Sequence, residues 1–532
     1  MSDEKSVKRD AQVEDNFEYP PLRVRIPAML AIALAFFLVA LDRTILGTAI
    51  PAITNEFHSF EDIAWYEAGF LLPLCMLQLS FGRVYTYYSS KWVLIALVAT
   101  FEIGSIVCAT APNSPALIVG RAISGIGAAG ISSGALILIN AIVPLQSRPK
   151  YTGSLGAVFG IASIAGPLLG GYLTAVTWRW CFWINAPIGG LSLVILAFLT
   201  PKSPAALKPA DSLIGKINQL DPAGFILIAS STVCLLFALQ WGGVRYPWTD
   251  GRIIALFVLF GVLGLAFIGA QAWRQDTATV PPKIFFQRTM LAGCIASIGI
   301  GSLIVIYAYY LPIWFQAIQG KSPQNSGLSL VALLLSNVVF VIGSGFATSR
   351  LGYYTPIMII GAAVTIVGSA LISTWGVDAG PGQWIGFQVI TGAGLGCVLM
   401  QPNIAAQRVL PKDQAAIGIT LLAFVQFLGG TIFVAVCQNL LANKLIAGLR
   451  GQIPNFDPGS IANQGVTSLR DQVPADRLGM VLEVYNDALQ AIWYVGLALA
   501  FLILVGSLGL EWKSVKKRQS DDGESISGSL DH

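Results

Sequence analysis

Long apolar runs recur along nearly the whole of this 532-residue chain. A transmembrane helix needs about 20 apolar residues, and runs of that length come in a group of six, then two, then a second six. They lie near 27–49, 62–81, 92–111, 115–143, 152–176, 182–200, 221–240, 252–272, 290–315, 326–347, 353–374, 384–406, 416–440 and 489–511. Because 55% of the residues are hydrophobic and only 11% are charged, a polar shell could not cover this chain in water. The sequence therefore predicts an all-α polytopic membrane protein with fourteen transmembrane helices.

The order of the runs predicts five parts of the chain. They are a cytoplasmic N-tail at 1–26, an N-terminal six-helix bundle at 27–200, a linker with two extra transmembrane helices at 201–289, a C-terminal six-helix bundle at 290–511, and a cytoplasmic C-tail at 512–532. The second bundle includes an outer loop at 441–488. We predict that this loop is irregular, because it is polar and rich in glycine, proline, asparagine and aspartate.

Lysine and arginine are concentrated in alternate connections between the runs, which places both termini in the cytoplasm by the positive-inside rule. The N-tail lacks a signal-peptide pattern, so the first run would act as an uncleaved signal anchor. A formal net charge of +4 suggests no surface for nucleic acid. Seven cysteines within apolar runs and only two histidines, His58 and His532, predict packed thiols, no metal site and no cofactor.

Charged residues inside apolar runs are candidates for function, since a charge near the bilayer centre costs at least ~2.5 kcal/mol. At 1.5 Å per residue, Asp42 lies about 13 Å from the outer end of its helix and Arg121 about 9 Å from the same face. We predict that they meet and couple transport to protons, because a carboxylate that alternates between buried and paired surroundings can take up and release a proton. A static ion pair is the alternative. Glu102, with Arg43 as a neighbour, is a second coupling candidate or a neutral structural carboxyl, whereas Glu67 is predicted to be interfacial.

A pocket for an amphipathic organic molecule would be lined by apolar and aromatic side chains with a few polar groups. The candidates within or next to the runs are Arg43, Tyr309, Tyr310, Gln316, Gln388 and Gln426. Helix packing or an interfacial aromatic belt is the alternative for the two tyrosines. An interhelical hydrogen bond is the alternative for Gln388.

An internal repeat supports an architecture of two bundles. Gly120 to Gly127 in the fourth run resembles Phe387 to Gly394 in the twelfth, and each is the fourth run of its group of six. Such parallel repeats are typical of transporters with a cavity between two bundles, although glycines that let helices pack closely would produce the same pattern. The repeat puts Gln388 at the position of Arg121.

Further motifs resemble those of a known family. They are Leu41-Asp42-Arg43-Thr44-Ile45 with Ala49-Ile50-Pro51 in the first run, Gly120-Arg121 in the fourth, Gly156, Gly160, Gly166-Pro167, Gly170 and Gly171 in the fifth, Trp178-Arg179-Trp180 with Asn185-Ala186-Pro187-Ile188-Gly189, and Tyr309 to Gln316. With them the chain resembles the major facilitator superfamily, in its fourteen-span drug:proton antiporter branch and, within that branch, the fungal toxin and multidrug efflux pumps. The residues of the fifth run are similar to the antiporter motif, which the family associates with export. Close helix packing is the other explanation for these glycines.

The resemblance also implies a gate at the cytoplasmic face. Its residues are Gly82, Arg83 and Lys91 after the second run, with Gly345 and Arg350 as counterparts in the second half. Thr86 stands where the family has an aspartate and Ser89 where it has a glycine. The charge relay that the family uses at this gate is therefore in doubt here.

These features together predict a proton-coupled antiporter that exports a small amphipathic organic molecule, such as a toxin, secondary metabolite or drug, by alternating access. Its partners would be that substrate, protons and the lipid bilayer. We expect a monomer that is not an enzyme, in the plasma membrane or the vacuolar membrane. The alternative within the same fold is a proton-coupled uptake carrier, for example for siderophores. A nutrient sensor or membrane enzyme is disfavoured, because the C-tail is short and the sequence contains no nucleotide-binding loop or metal-ligand cluster.

Overall fold

The computed structural model describes residues 20–58, 62–200, 207, 210–243, 246–411, 413–449 and 477–516. Within these residues, fourteen helices are long and apolar enough to span a membrane, which confirms the predicted fold class. In chain order they are α1 (Leu22–Phe57), α2 (Ile63–Tyr87), α3 (Ser90–Ala109), α4 (Ser114–Ile142), α5 (Arg148–Val176), α6 (Asn185–Leu199), α7 (Pro222–Trp241), α8 (Gly251–Arg274), α9 (Arg288–Ala317), α10 (Val331–Leu351), α11 (Thr355–Ser373), α12 (Pro381–Leu399), α13 (Ala415–Leu449) and α14 (Leu478–Gly509). The span that contains α6 begins with a short helix at Trp180–Trp183, and a short helix at Gln401–Val409 continues α12.

Local capping signals set where several helices begin. Asn113 accepts a hydrogen bond from the backbone N–H of Ala116 at 3.0 Å and so caps α4, while the proline in the first turn of that helix fits there without strain. Asp221 and Asp250 cap the extra helices α7 and α8 in the same way. Each cap satisfies a backbone donor that the first turn leaves without an intrahelical partner.

The helices that flank the predicted outer loop are longer than the hydropathy pattern indicates. α13 continues to Leu449 and α14 begins at Leu478, so the prediction of an irregular loop at 441–488 is wrong at both ends. Leu445 and Leu449 are buried in one apolar cluster with Val481, and this cluster stabilises the helical turns that extend past the predicted apolar runs. Residues 450–476 lie outside the described part of the chain.

Equivalent glycines hold each six-helix half together, in agreement with the repeat in the sequence. Gly125 of α4 lies against the backbone of Phe70 in α2, and Gly392 of α12 lies against the backbone of Leu333 in α10. A side chain at either position would collide with that backbone. Since α2 and α10 are each the second helix of their half, the two halves repeat the same packing.

The extra pair α7 and α8 lies at the side of the two halves. α7 contacts α2, where the rings of Phe237 and Trp65 are 5.5 Å apart, and α8 packs mainly on α7. Only 6% of the most apolar stretch of α8 is buried within the protein. This helix is therefore peripheral and offers most of its surface to lipid.

The two halves approach each other most closely at one face of the protein. Because the number of spans is even, both described chain ends lie on that face, which we call the inner face. There, a Cβ atom on Gly345 of α10 would lie 3.4 Å from the Cα of Gly153 in α5, and Gly82 of α2 packs against Ile417 of α13. We call this region, where the backbones of the two halves are in contact, the inner seam.

Candidate functional site

A buried ion pair joins α1 and α4 inside the N-terminal half. Arg121 donates to Asp42 through Nη1 and to the backbone oxygen of Tyr66 through Nε at 2.9 Å, and its guanidinium lies 4.5 Å from the ring centre of Phe70. Asp42 is 0% exposed and Arg121 1% exposed. The structure thus brings together the two residues that the depth argument paired.

The pair leaves one carboxylate oxygen of Asp42 without a partner. Among the described residues no donor reaches Oδ1 of this side chain, while Oδ2 is held by Arg121. An ionised carboxylate that keeps a free lone-pair site is a chemically reasonable place for a proton to bind, because protonation there does not first require a hydrogen bond to break.

Glu102 lies elsewhere in the same half, between α3 and α6. A Cβ atom on Gly189 of α6 would collide with its carboxylate, and neither carboxylate oxygen has a partner among the described residues. Arg43, the expected neighbour, forms no ion pair with Glu102 among the described residues, and its guanidinium lies 5.3 Å from the ring of Phe427 in α13. Glu102 interacts electrostatically with Asp42 but forms no ion pair in the described chain.

Long side chains bridge the two halves above the inner seam. Arg43 of α1 reaches Phe427 of α13, and Tyr309 of α9 donates a hydrogen bond of 3.0 Å to Glu67 of α2. Tyr309 is 45% exposed and Arg43 is half-buried. Because side chains meet here while backbones meet at the inner face, the helices of the two halves are farther apart here than at the seam, and we call the space between them the cleft. Arg43, Glu67, Tyr309 and Phe427 are its central residues.

Sequence reasoning missed the contact of Glu67. Its expected interfacial position gave no reason to link it to Tyr309, which is 242 residues away in the chain. Glu67 is a carboxylate in an otherwise apolar stretch of α2. A charged residue at such a position usually has a partner, and this was the signal in the sequence that could have indicated the contact.

The other predicted substrate residues occupy different surroundings. Tyr310 is buried and donates to the backbone oxygen of Val434 at 3.0 Å, and Gln316 donates to Ser326 at 3.0 Å. Gln426 is half-buried on α13, where its backbone packs on Gly301. Packing within the C-terminal half therefore accounts for Tyr310 and Gln316.

Gln388 resembles Arg121 in position and in burial. It is 0% exposed, and neither atom of its amide group has a hydrogen-bond partner among the described residues. A buried amide without partners is costly, so an interhelical hydrogen bond, the alternative raised by the sequence, does not account for Gln388 in this conformation.

The glycines of the fifth run divide into two sets along α5. Gly156 and Gly160, in the inner part, face Val341 and Val338 of α10 in the other half. Gly166 and Gly170, beside Pro167, pack against Thr44 and Thr48 of α1, and Thr44 also donates to the backbone oxygen of Ala162 at 3.2 Å. A Cβ atom on Gly171 would meet no described atom within 4 Å. α5 thus connects the helix of Asp42 to the inner seam.

The cations of the predicted gate bind backbone oxygens. Arg83 donates to the carbonyl of Ala278, just after α8, and Lys91 donates to the carbonyls of Ala197 and Thr200 at 2.8 and 2.7 Å, at the end of α6. Thr86 donates to the carbonyl of Gly82 in its own helix at 2.8 Å. Carbonyl groups at a helix end carry partial negative charge, so the carbonyls at the end of α6 attract the ammonium of Lys91. On the second half, Gly345 lies in the seam and Arg350 is exposed at the inner face.

Comparison with known proteins identifies the family. The profile of the Major Facilitator Superfamily matches residues 32–434. MFS-type efflux pump MFS1 of Arthroderma benhamiae is 46% identical over 489 residues, covering 92% of this chain and 91% of the relative. Efflux pump aflT of Aspergillus parasiticus is 44% identical over 493 residues, covering 92% and 96%, and rubrofusarin-specific efflux pump aurT of Gibberella zeae is 43% identical over 509 residues, covering 95% and 92%.

Solved structures show the same fold at low sequence identity. The human organic anion transporter MFSD10 (TETRAN) aligns with a TM-score of 0.58 and 12% identity, over 90% of this chain and 100% of that one. The proton:xylose symporter XylE aligns with a TM-score of 0.57 and 15% identity, over 91% and 96%. The chain therefore belongs to the Major Facilitator Superfamily, and it is a membrane transporter and not an enzyme.

Proposed function

We propose that this protein is a proton-coupled antiporter that exports a small amphipathic organic molecule, either a toxin, a secondary metabolite or a drug. Relatives that share more than two fifths of its residues are named efflux pumps, and one is named for a single product, rubrofusarin. We further propose that it works as a monomer with both termini in the cytoplasm, so that the inner face is cytoplasmic. The plasma membrane is the proposed location, and the vacuolar membrane is the alternative.

The observation that carries the proposal is the buried pair of Asp42 and Arg121. Asp42 keeps one free carboxylate oxygen, and the next residue, Arg43, reaches the cleft between the halves. A proton on Asp42 would cancel its charge and remove the attraction to Arg121. Since an unpaired buried cation is costly, the neutral pair favours a rearrangement of α1 relative to α4.

Helix contacts provide a path from this pair to the inner seam. α1 continues from Asp42 to Thr44 and Thr48, which pack on the outer glycines of α5, and the inner glycines of α5 pack on α10. A shift of α1 would therefore displace α5 at the place where the two halves touch. A displacement of α5 at the seam would let the two halves rock about the central site, which is the usual form of alternating access.

In the proposed cycle, the closed inner seam belongs to a step in which the inner face is shut. In that step the cargo leaves the cleft and a proton reaches Asp42 from outside; the return to the inward-facing state releases the proton and admits new cargo. A proton that enters as cargo leaves can supply about 1.4 kcal/mol per pH unit and about 2.3 kcal/mol per 100 mV. At about 1.4 kcal/mol per tenfold ratio, the two together sustain a gradient of several hundredfold for a neutral cargo.

The test uses purified protein in proteoliposomes with an imposed pH gradient and a fluorescent amphipathic cation as cargo. Native protein and the control Glu56→Gln, which alters a carboxylate at the outer end of α1 that binds Trp178 and Arg179, should both move dye against its gradient. Asp42→Asn should lose this uphill movement while it still exchanges dye down a gradient. Sidedness is fixed by protease cleavage of an added tail tag.

Each other result has a defined meaning. If Asp42→Asn transports uphill as well as the native protein, Asp42 is structural and the proposed proton site is wrong, and Glu102→Gln becomes the next variant. If dye moves uphill only in the same direction as protons, the protein is an uptake carrier and not an exporter.

A further inference from the structure

A basic pocket opens on the inner face, across the seam between the two halves. Its volume is about 420 Å³, and its lining residues are Gln146, Ser147, Lys150, Ser349, Arg350 and Lys516. Gln146 and Lys150 belong to the N-terminal half, whereas Ser349 and Arg350 end α10 in the C-terminal half. The hydroxyl of Ser349 donates to the backbone oxygen of Gln146 at 2.7 Å, so the rim of the pocket is itself a contact between the halves.

The chain segment after α14 is held so that Lys516 reaches this pocket. The N–H of Val515 donates to the carbonyl of Gly352 at 2.7 Å, Ser514 pairs with Tyr353 as an antiparallel bridge, and Arg408 donates to the carbonyl of Ser514 at 2.6 Å. Gly352 has a φ of +85°, which a glycine adopts without strain. This turn and the segment that it binds place a third cation beside Lys150 and Arg350.

The three cations of the pocket have no ion-pair partner among the described residues. Within the described chain, no carboxylate forms an ion pair with Lys150, Arg350 or Lys516, and the ammonium of Lys150 lies 5.6 Å from the ring of Phe346. Three like charges around one concave site repel each other. An anion bound between them would remove that repulsion.

We propose that this pocket binds a phosphate group, supplied by the headgroup of an anionic phospholipid at the inner face. A guanidinium presents a planar pair of donors that suits phosphate oxygens, and lysine ammonium groups are common phosphate ligands. The hydroxyl of Ser147 and the side-chain amide of Gln146 add neutral donors at the rim. The pocket lies at the inner end of the spans, where anionic lipids attract basic side chains. Free phosphate shares this chemistry, and the experiment separates the two sources.

The position of the pocket also couples the ligand to conformation. Its walls come from both halves, and it has this shape only while Gly345 of α10 lies against Pro149 at the start of α5. A ligand that binds one conformation better than the other shifts the equilibrium toward it. The phosphate therefore stabilises the state in which the inner face is closed.

The first experiment measures binding to full-length protein in nanodiscs of neutral phosphatidylcholine. The probes are a short-chain phosphatidylinositol phosphate, short-chain phosphatidylserine and inorganic phosphate, each titrated by calorimetry. We expect the phosphoinositide to bind, and the variant K150Q/R350Q/K516Q to bind it about a hundredfold more weakly, because each cation contributes about fivefold. The matched variant R23Q/K216Q/K513Q loses the same charge elsewhere on this face and should bind like the native protein.

The outcomes distinguish the sources and can overturn the proposal. Equal binding of inorganic phosphate and phosphoinositide would assign the pocket to free phosphate and overturn the lipid headgroup as its source. Equal weakening in both triple variants would mean that general surface charge attracts the lipid, and the pocket would not be a site. Neither result depends on cargo or on a pH gradient, so the outcome is independent of the proposed transport function.

The second experiment tests the coupling without changing any cation. Gly345→Ala introduces a Cβ atom against the backbone of Pro149 in the seam, while Gly343→Ala adds the same atom two residues away on the same helix, where nothing lies within 4 Å. We expect phosphoinositide binding to weaken severalfold in Gly345→Ala and to stay at the native value in Gly343→Ala. Native affinity in both folded variants would show that the ligand does not depend on the closed seam.

Discussion

The buried charged residues of this transporter differ in how many partners offset the cost of removing them from water. Arg121 has Asp42, a backbone carbonyl and an aromatic ring around its guanidinium, whereas Oδ1 of Asp42 has no hydrogen-bond partner among the described residues. A buried pair contributes little net stability, yet removal of one partner is strongly destabilising. We infer that the asymmetry serves function, because the carboxylate can lose its charge while the arginine keeps its other contacts.

Asp221 is the opposite case, because both oxygens of this buried carboxylate accept hydrogen bonds. Its oxygens accept from Gln271, Arg274 and both donors of Thr279 at 2.8 to 3.0 Å. Burial alone would raise the pKa of Asp221, but the hydrogen bonds from Gln271, Gly224 and Thr279 outweigh it, and the pKa lies below its ordinary value. This residue fixes the extra helices and stays ionised.

We predict that Asp221→Asn destabilises the protein by on the order of 3 kcal/mol, because it leaves Arg274 without its charge partner. Since the folded pKa is lowered, the stabilisation by Asp221 is present at neutral pH and is lost only as the pH falls below about 4. Thermal unfolding in detergent at neutral pH should show the full difference between the native protein and the variant, and at the acid limit the difference should shrink. Asp250→Asn, at the other capping aspartate, should change stability little because asparagine also caps helices. A pH-independent difference for Asp221→Asn would contradict this account.

The two ends of α5 contact different helices, and these contacts link α1 to the seam. Its outer glycines meet α1 and its inner glycines meet α10 in the other half. Pro167 lies within the outer region, next to Gly166, and removes one backbone hydrogen bond of the helix. A helix with such a division can transmit a movement from α1 to the seam.

We predict that Gly170→Ala impairs transport while Gly171→Ala does not. A Cβ atom at Gly170 would lie 2.9 Å from the carbonyl oxygen of Ile45, whereas at Gly171 it meets nothing within 4 Å. Overpacking of this kind costs about 1–3 kcal/mol, so Gly170→Ala should lower the unfolding temperature and the rate of uphill dye export. The two variants have the same propensity change in the same helix, and a similar loss in both would mean that α5 tolerates no alanine for reasons other than contact with α1.

The fold and the Asp42–Arg121 contact were predictable from the sequence, but the contacts between the halves were not. Run lengths fix the number of spans, and depth along two antiparallel helices was enough to pair Asp42 with Arg121. The bond from Tyr309 to Glu67 crosses 242 residues, and that from Arg83 to Ala278 crosses 195. Both depend on how two bundles and a side pair are arranged, about which hydropathy carries no information. The observed ends of α13 and α14 differ from the predicted ones for a related reason, because contacts between these two helices stabilise the additional turns.

As a whole molecule, the protein consists of two similar halves that meet through glycines at the inner face and through long side chains above it. Interfaces of packed backbone have few intermediate positions, so such a seam tends to be either closed or open. Among the described residues, Arg43 and Glu67 place opposite charges at the cleft above it, where they would orient a cargo with a polar end. The extra helices contribute to the seam indirectly. Arg83, the residue after Gly82 of the seam, donates to the carbonyl of Ala278 in the segment that follows α8.

The closed seam makes a final prediction about the transport cycle. Cysteines at Gln146 and Ser349, which face each other across the halves, should be joined by a short thiol-reactive cross-linker added at the inner face, and the joined protein should lose uphill export because the seam cannot open. The control joins Tyr353→Cys to Ser514→Cys, a pair on the same face but within the C-terminal half, and it should retain export. Five of the seven native cysteines are buried and the other two partly buried, which limits their reaction with a reagent that does not cross the membrane. Dye export that persists after complete cross-linking of the first pair would mean that the inner seam does not open during transport, and the alternating-access mechanism derived from it would be wrong.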